Sequence, residues 1–148
     1  GIRANSADTE PSKVADWSQR REGDLPAKVD LRRFMTDVED QKNSNSCCAN
    51  AVAGAYEYIA KRRAMETGDE PGDVSRLFIY YVGRKRDQQI FGEDTTKRPQ
   101  DEGMTLGGAI EAMQLKGACL QGSWPFDLDY VNSRPSDESF DEAMSYKV

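Results

Sequence analysis

The stretch from Ser46 to Arg63, SCCANAVAGAYEYIAKRR, constrains the fold more than any other part of the chain. Val52, Ala55, Tyr56 and Ile59 fall at i, i+3, i+4 and i+7, the spacing of one helical face. Ala49, Ala51, Ala53, Gly54 and Ala60 are small, so neighbouring elements can approach closely. Ser46 is placed to cap the N-terminus. Lys61-Arg62-Arg63 sets positive charge at the negative end of the dipole. The pattern predicts a helix buried over much of its surface.

Other elements follow from the same kind of reading. Leu77, Phe78, Tyr81 and Val82 predict a second helix over 74–85. Residues 87–103 are polar, with Gly and Pro, and read as a long surface loop. Leu106, Ala109, Ile110 and Met113 predict a third helix, with Thr105 as its cap and Gly117 as its stop. SWPFD, at 123–127, reads as a packed aromatic turn, and PSDESFDEAM as a short fourth helix with Phe140, Ala143 and Met144 on one face. Ahead of the first helix, LPAKVDLR alternates at Val29 and Leu31 as a short or edge strand does. SYKV reads as the start of another strand, and residues 1–24 as a polar arm or the remnant of a leader. The sum is mostly helical, with an unfinished β element at its end.

A length of 148 residues suits one domain or half of a larger one. The net charge of -6 argues against nucleic acid, whose phosphates attract basic surfaces. No apolar run approaches the roughly 18 residues that a membrane helix needs. The chain opens on Gly1, as a processed or trimmed product would. Its cysteines, Cys47, Cys48 and Cys119, are odd in number, and two are neighbours, so no disulfide scaffold is expected. With no His and no CxxC, no metal site is expected either, and no cofactor.

Cys47 stands where a helix N-terminus stabilises a thiolate through its orphan N–H groups and positive dipole end. Gln41, six residues earlier, can bring a side-chain amide towards the same place. Two such donors make an oxyanion hole, aimed at a carbonyl oxygen that gains charge during acyl transfer. Asn43, Ser44 and Asn45 between them are short. From helix position alone, the plainer reading of Cys47 and Cys48 as small core residues leads. A redox role for the vicinal pair fits poorly, because the spacing of dithiol motifs is missing.

The segment resembles the active-site stretch of papain-like cysteine peptidases. It is most similar to a variant of bacterial and some protist or viral members, approximately Q-G-x-x-G-S-C-T-A-N-A. Here those positions hold Gln41, Lys42, Asn45, Ser46, Cys47, Cys48, Ala49, Asn50 and Ala51. LPAKVDLR is similar to the usual mature start, and VSRLFIYYVGRKRD to the L-S-x-x-F-I-Y-Y segment. DEGMTLGGAIEAMQLKGACLQGSWPFD is similar to a further family segment ending in W-P-(F/Y). The resemblance runs in order from Leu25 to the C-terminus.

The resemblance implies an α+β, papain-like fold. A mostly helical left domain would span 25–126 and carry the nucleophile helix. A crossover would span 127–148, and the β-barrel right domain would be largely missing. It implies Cys47 as nucleophile and Gln41 as oxyanion-hole residue of a cysteine peptidase that works through an acyl-enzyme. Asn45 and Ser46 would line the groove. Gly103 and Met104 would lie in the segment whose backbone pairs with extended substrate. Thr105 and Leu106 would border the pocket for the second residue before the scissile bond, although helix cap and core describe them equally well. The alternative is a catalytically inactive binding or assembly module.

The departures are Lys42 and Asn45 where the family has Gly, with Asn tolerating positive φ better than most residues. Cys48 replaces the Trp of plant and animal members, and the family disulfide, which would fall near Ser44 and Asp101, is absent. The family pairs its thiol with a His, oriented by an Asn, some 130–150 residues downstream, from about position 177 here. A two-chain enzyme is therefore expected, with a C-terminal chain or segment supplying His and Asn and a peptide or protein as substrate. The resemblance suggests lysosome-like or secreted use.

Overall fold

The computed structural model of the chain describes residues 26–68 and 72–147. Four α-helices make up most of it: α1 (Cys47–Thr67), α2 (Arg76–Ile90), α3 (Leu106–Lys116) and α4 (Asp137–Ala143). Short 3₁₀ turns lie at Arg32–Phe34 and Leu128–Tyr130. Among the described residues β structure is limited to isolated bridge positions, with Val74 pairing antiparallel with Leu120. The expected polar arm at 1–24 lies outside the described residues.

α2 is the centre of the molecule and packs on both α1 and α3. Leu77, Phe78, Ile79 and Tyr80 are all essentially inaccessible. A helix buried on every side belongs in the middle of a core. Ser75 starts it, its side chain accepting from the Phe78 N–H. The helix runs five residues past the expected end, through a stretch whose RKRDQQ composition suggests solvent. Its polar groups are bonded instead. Arg84 donates to the carbonyls of Tyr80, Gln100 and Val131 and to Asn132 Oδ1. Asp87 accepts from the backbone and hydroxyl of Thr105. The surface loop therefore begins at Phe91 rather than at 87.

α3 starts and stops where expected. Thr105 Oγ1 accepts from Gly108 N, and Gly117, at φ 75, ends the helix. A Cβ at Gly117 would strike the Ala143 carbonyl, so α4 approaches closely there. Ser136 caps α4 by accepting from Ser139 N. Trp124 and Phe126 pack against the core as an aromatic turn should.

Four further expectations fail. Of the expected strand at 25–32, the described residues 26–32 form none: Val29 and Leu31 are exposed, and the chain turns into the 3₁₀ segment at Arg32. Of the SYKV segment, the described residues 145–147 form no strand either, because Ser145 and Tyr146 donate back to Glu142 and Ala143 in a turn. A strand needs a partner for its backbone groups, and the described residues offer none at either place. Helix α1 is also less buried than its composition suggests. It turns Cys48, Ala49, Ala53 and Glu57 to the core. The stripe of Val52, Ala55, Tyr56 and Ile59 faces an open groove of about 890 Å³, with Leu106 and Ile110 on its other side. Ile59 is 56% exposed and Ile110 49%. Met144 is exposed too, so the expected apolar face of α4 reduces to Phe140 and Ala143.

Candidate active site

Cys47 is the first residue of α1 and is half-buried against the core, next to fully buried Cys48. The turn ahead of it is held by its own side chains. Gln41 Nε2 donates to the Ser44 carbonyl at 2.7 Å, and Ser44 Oγ donates back to the Gln41 carbonyl at 2.8 Å. Lys42 is at φ 51, the left-handed region, and its N–H is taken by Asp40 Oδ1. Positive φ in this loop thus falls on Lys42 and not on Asn45. Asn45 instead bonds outward, from its N–H and side-chain amide to Asp101.

Arg76, at the start of α2, fixes this turn from beneath. Its Nε lies 2.6 Å from Glu39 Oε2. Its Nη1 donates to the Asp40 carbonyl and to Asn50 Oδ1, and its guanidinium stacks on Phe126 at 4.0 Å. Asn50 in turn donates to the carbonyl and hydroxyl of Ser46. One buried cation therefore connects the residues leading into Gln41 with the residue preceding Cys47. Neither Arg76 nor Asn50 as a support was read from the sequence, because the contacts span up to 36 residues with no local signal. The asparagine one turn past Cys47 was the available hint.

No protein-family model matches the chain. It is 29% identical, over 124 residues, to an uncharacterized peptidase C1-like protein of Acanthamoeba polyphaga mimivirus, covering 84% of this chain and 36% of the viral one. Its structure matches that of xylellain, a cysteine protease from Xylella fastidiosa, with a TM-score of 0.62 and 29% identity. That match covers 84% of this chain and 47% of xylellain. In sequence and in fold the chain is similar to papain-like cysteine peptidases. It spans less than half the length of either relative. The helical set described above is the mostly helical part of the papain-like fold.

Against that papain-like frame, the candidate site residues divide. Cys47, Gln41 and Asn45 lie together at the start of α1, and Asn45 is exposed. Ser46 does not line a groove with its side chain. It is fully buried, and it makes no side-chain cap, because its hydroxyl is engaged by Ser44 and Asn50. Gly103 is at φ 85, and its N–H donates to the Tyr80 hydroxyl. The Met104 side chain is fully buried, leaving only its backbone for any contact. Thr105 is likewise buried as the α3 cap, while Leu106 is exposed on the wall of the apolar groove. Among the described residues no cluster of His, Cys, Asp or Glu has the make-up of a metal site.

The three thiols are unbonded and differ in setting. Burial, with Cys47 alongside, pushes Cys48 up to about 11 from an ordinary 9.0. Burial also raises Cys119 to about 11, with Glu142 adding to the shift. Both therefore favour the folded state as neutral thiols. Their contribution is complete below about pH 9 and is lost as pH rises towards 11. Buried Tyr80, raised in the same sense, extends the loss to higher pH. The thermal midpoint is expected to fall across that window, and less steeply in Cys119→Ala. A flat midpoint there would contradict the burial of these groups.

Proposed function

We propose that this chain is the thiol-bearing part of a cysteine peptidase. Cys47 is its nucleophile and Gln41 its side-chain oxyanion donor. The single observation that carries the reading is where Cys47 sits on α1. Ala51 and Ala55 follow it at i+4 and i+8, on the same helical face, and both line the apolar groove. Whatever fills that groove lies about one helical turn from the thiol. Exposed Ile59 and Ile110 make an uncovered groove unfavourable in water.

The occupant we infer is the part of the protein that bears the family's His and Asn. The relatives are more than twice as long as the matched region, and Tyr146 and Lys147, close to this chain's end, already line the groove. The reaction runs as acyl transfer. The Cys47 thiolate, paired with the partner's imidazolium, attacks the scissile carbonyl. The Cys47 N–H and the Gln41 amide take up the oxyanion charge. The imidazolium protonates the leaving amine, and water then hydrolyses the thioester.

The test is labelling of the complete enzyme with a peptidyl epoxide of the kind that traps papain-like peptidases. Stoichiometric alkylation at Cys47, with matching loss of peptide hydrolysis, is expected. A folded complete protein that leaves the epoxide untouched overturns the catalytic reading and makes the chain a binding or assembly module.

A further inference from the structure

Two segments 56 residues apart are tied together just in front of Cys47. Asp101 Oδ1 accepts the Asn45 N–H at 2.9 Å and the Tyr80 hydroxyl at 2.6 Å. The Asp101 carbonyl accepts Asn45 Nδ2 at 2.8 Å. The same Tyr80 hydroxyl accepts the Gly103 N–H at 3.0 Å. Tyr80 belongs to the inaccessible middle of α2. One carboxylate and one core phenol therefore join the loop before the thiol, the 101–103 segment and the centre of the fold. No covalent bond does that job, since all three cysteines are free.

We propose that Asp101 is a positioning residue, holding the two walls of the peptide groove, Asn45 on one side and Gly103 on the other, at a fixed separation. The proposal rests on the peptidase reading for what occupies the groove. Its physical basis is independent of that. A carboxylate accepting backbone and hydroxyl donors makes stronger bonds than neutral pairs do. Gly103 has φ 85, a conformation that needs holding as well as a glycine. If the walls were free to drift, each binding event would have to order them, and affinity would fall. Asp101 touches neither the thiol nor Gln41 through any hydrogen bond described above, so its effect falls on binding rather than on the chemical step.

The experiment uses the complete enzyme and compares Asp101→Ala, Asp101→Asn and Tyr80→Phe. Asp101→Ala is expected to raise KM for a peptide about 10-fold, with kcat within about twofold, as loss of a charged hydrogen bond implies. Asp101→Asn keeps an acceptor oxygen and should recover most of the KM. Amide hydrogen exchange is read alongside. In Tyr80→Phe the Gly103 amide loses its acceptor directly, and the Asn45 amide, reached through Asp101, should speed up with it. An unchanged KM in Asp101→Ala, or faster exchange confined to one wall, overturns the clamp. So does an asparagine variant as impaired as the alanine one. If Asp101→Ala does not fold, the exchange pattern of Tyr80→Phe decides. Failure of the wild-type enzyme to cleave peptide or react with the epoxide would sink the peptidase reading instead, while the exchange data still judge the clamp.

Discussion

Cys47→Ala is expected to abolish peptide hydrolysis by the complete enzyme, with kcat falling by a factor on the order of 10⁴ to 10⁶, the scale of losing a covalent nucleophile. No other thiol can replace it. Cys48 and Cys119 are buried, and both are pushed to about 11, so they stay protonated at neutral pH. A thiol is a poor nucleophile and a thiolate a good one. The side chain of Cys47 is half-buried, so trimming it to alanine should cost about 1 kcal/mol of stability or less. Activity and stability are thereby separated. Cys119→Ala gives the opposite pattern: a buried group is lost from the core, the melting point drops, and hydrolysis per folded molecule continues. The measurement is kcat for a peptide substrate beside the thermal midpoint of each variant. Residual turnover in Cys47→Ala above about a hundredth of wild type, with contaminating peptidase excluded by inhibitor titration, would mean that another group attacks the carbonyl.

Helix starts were legible because capping is local. Thr105, the expected cap of α3, acts within three residues of itself, and Gly117 stops α3 by its own φ. The start of α1 was legible as a position, with Cys47 its first residue, but the expected Ser46 cap was not formed. That hydroxyl is recruited by Asn50 and Ser44, through contacts that no capping rule contains. The end of α2 was hidden for a related reason. Arg84 and Asp87 look like solvent residues in sequence, and their burial depends on carbonyls and on Thr105 brought from 16 to 47 and 18 residues away. The face of α1 was misjudged because periodicity identifies an apolar stripe without saying what covers it. Here Ala49, Ala53 and Glu57 meet the core, and Glu57 is held by the Val74 N–H and the Thr36 hydroxyl. The bulkier stripe of Val52, Ala55, Tyr56 and Ile59 faces the open groove instead. In the candidate site, the Gln41-to-Cys47 interval was readable as spacing. The supports beneath it, Arg76 with Asn50 and Asp101 with Tyr80, were not, since each joins distant segments.

Gln41→Ala is expected to lower kcat of the complete enzyme about 10²- to 10³-fold, the usual loss for one oxyanion donor. KM should change only a few-fold, because the ground-state carbonyl needs that donor far less than the oxyanion does. The structure gives the amide a definite resting place. Nε2 donates to the Ser44 carbonyl, which spends one of its two hydrogens. The loop is held apart from that bond by Ser44 Oγ on the Gln41 carbonyl, by Asp40 on the Lys42 N–H, and by Arg76 on the Asp40 carbonyl. Removing the side chain should therefore cost about 1 kcal/mol of stability, the net value of one ordinary hydrogen bond, and leave Cys47 in place. Epoxide labelling of Cys47 should persist at a reduced rate, which separates a lost oxyanion donor from a lost thiol. Gln41→Glu sharpens the test. The shape is kept, but an ionised carboxylate has no N–H to offer, and it repels both the Ser44 carbonyl and the developing oxyanion. Its kcat should be no better than that of the alanine variant. Full turnover in either variant would remove Gln41 from the chemistry and leave the backbone N–H groups of α1 as the oxyanion donors.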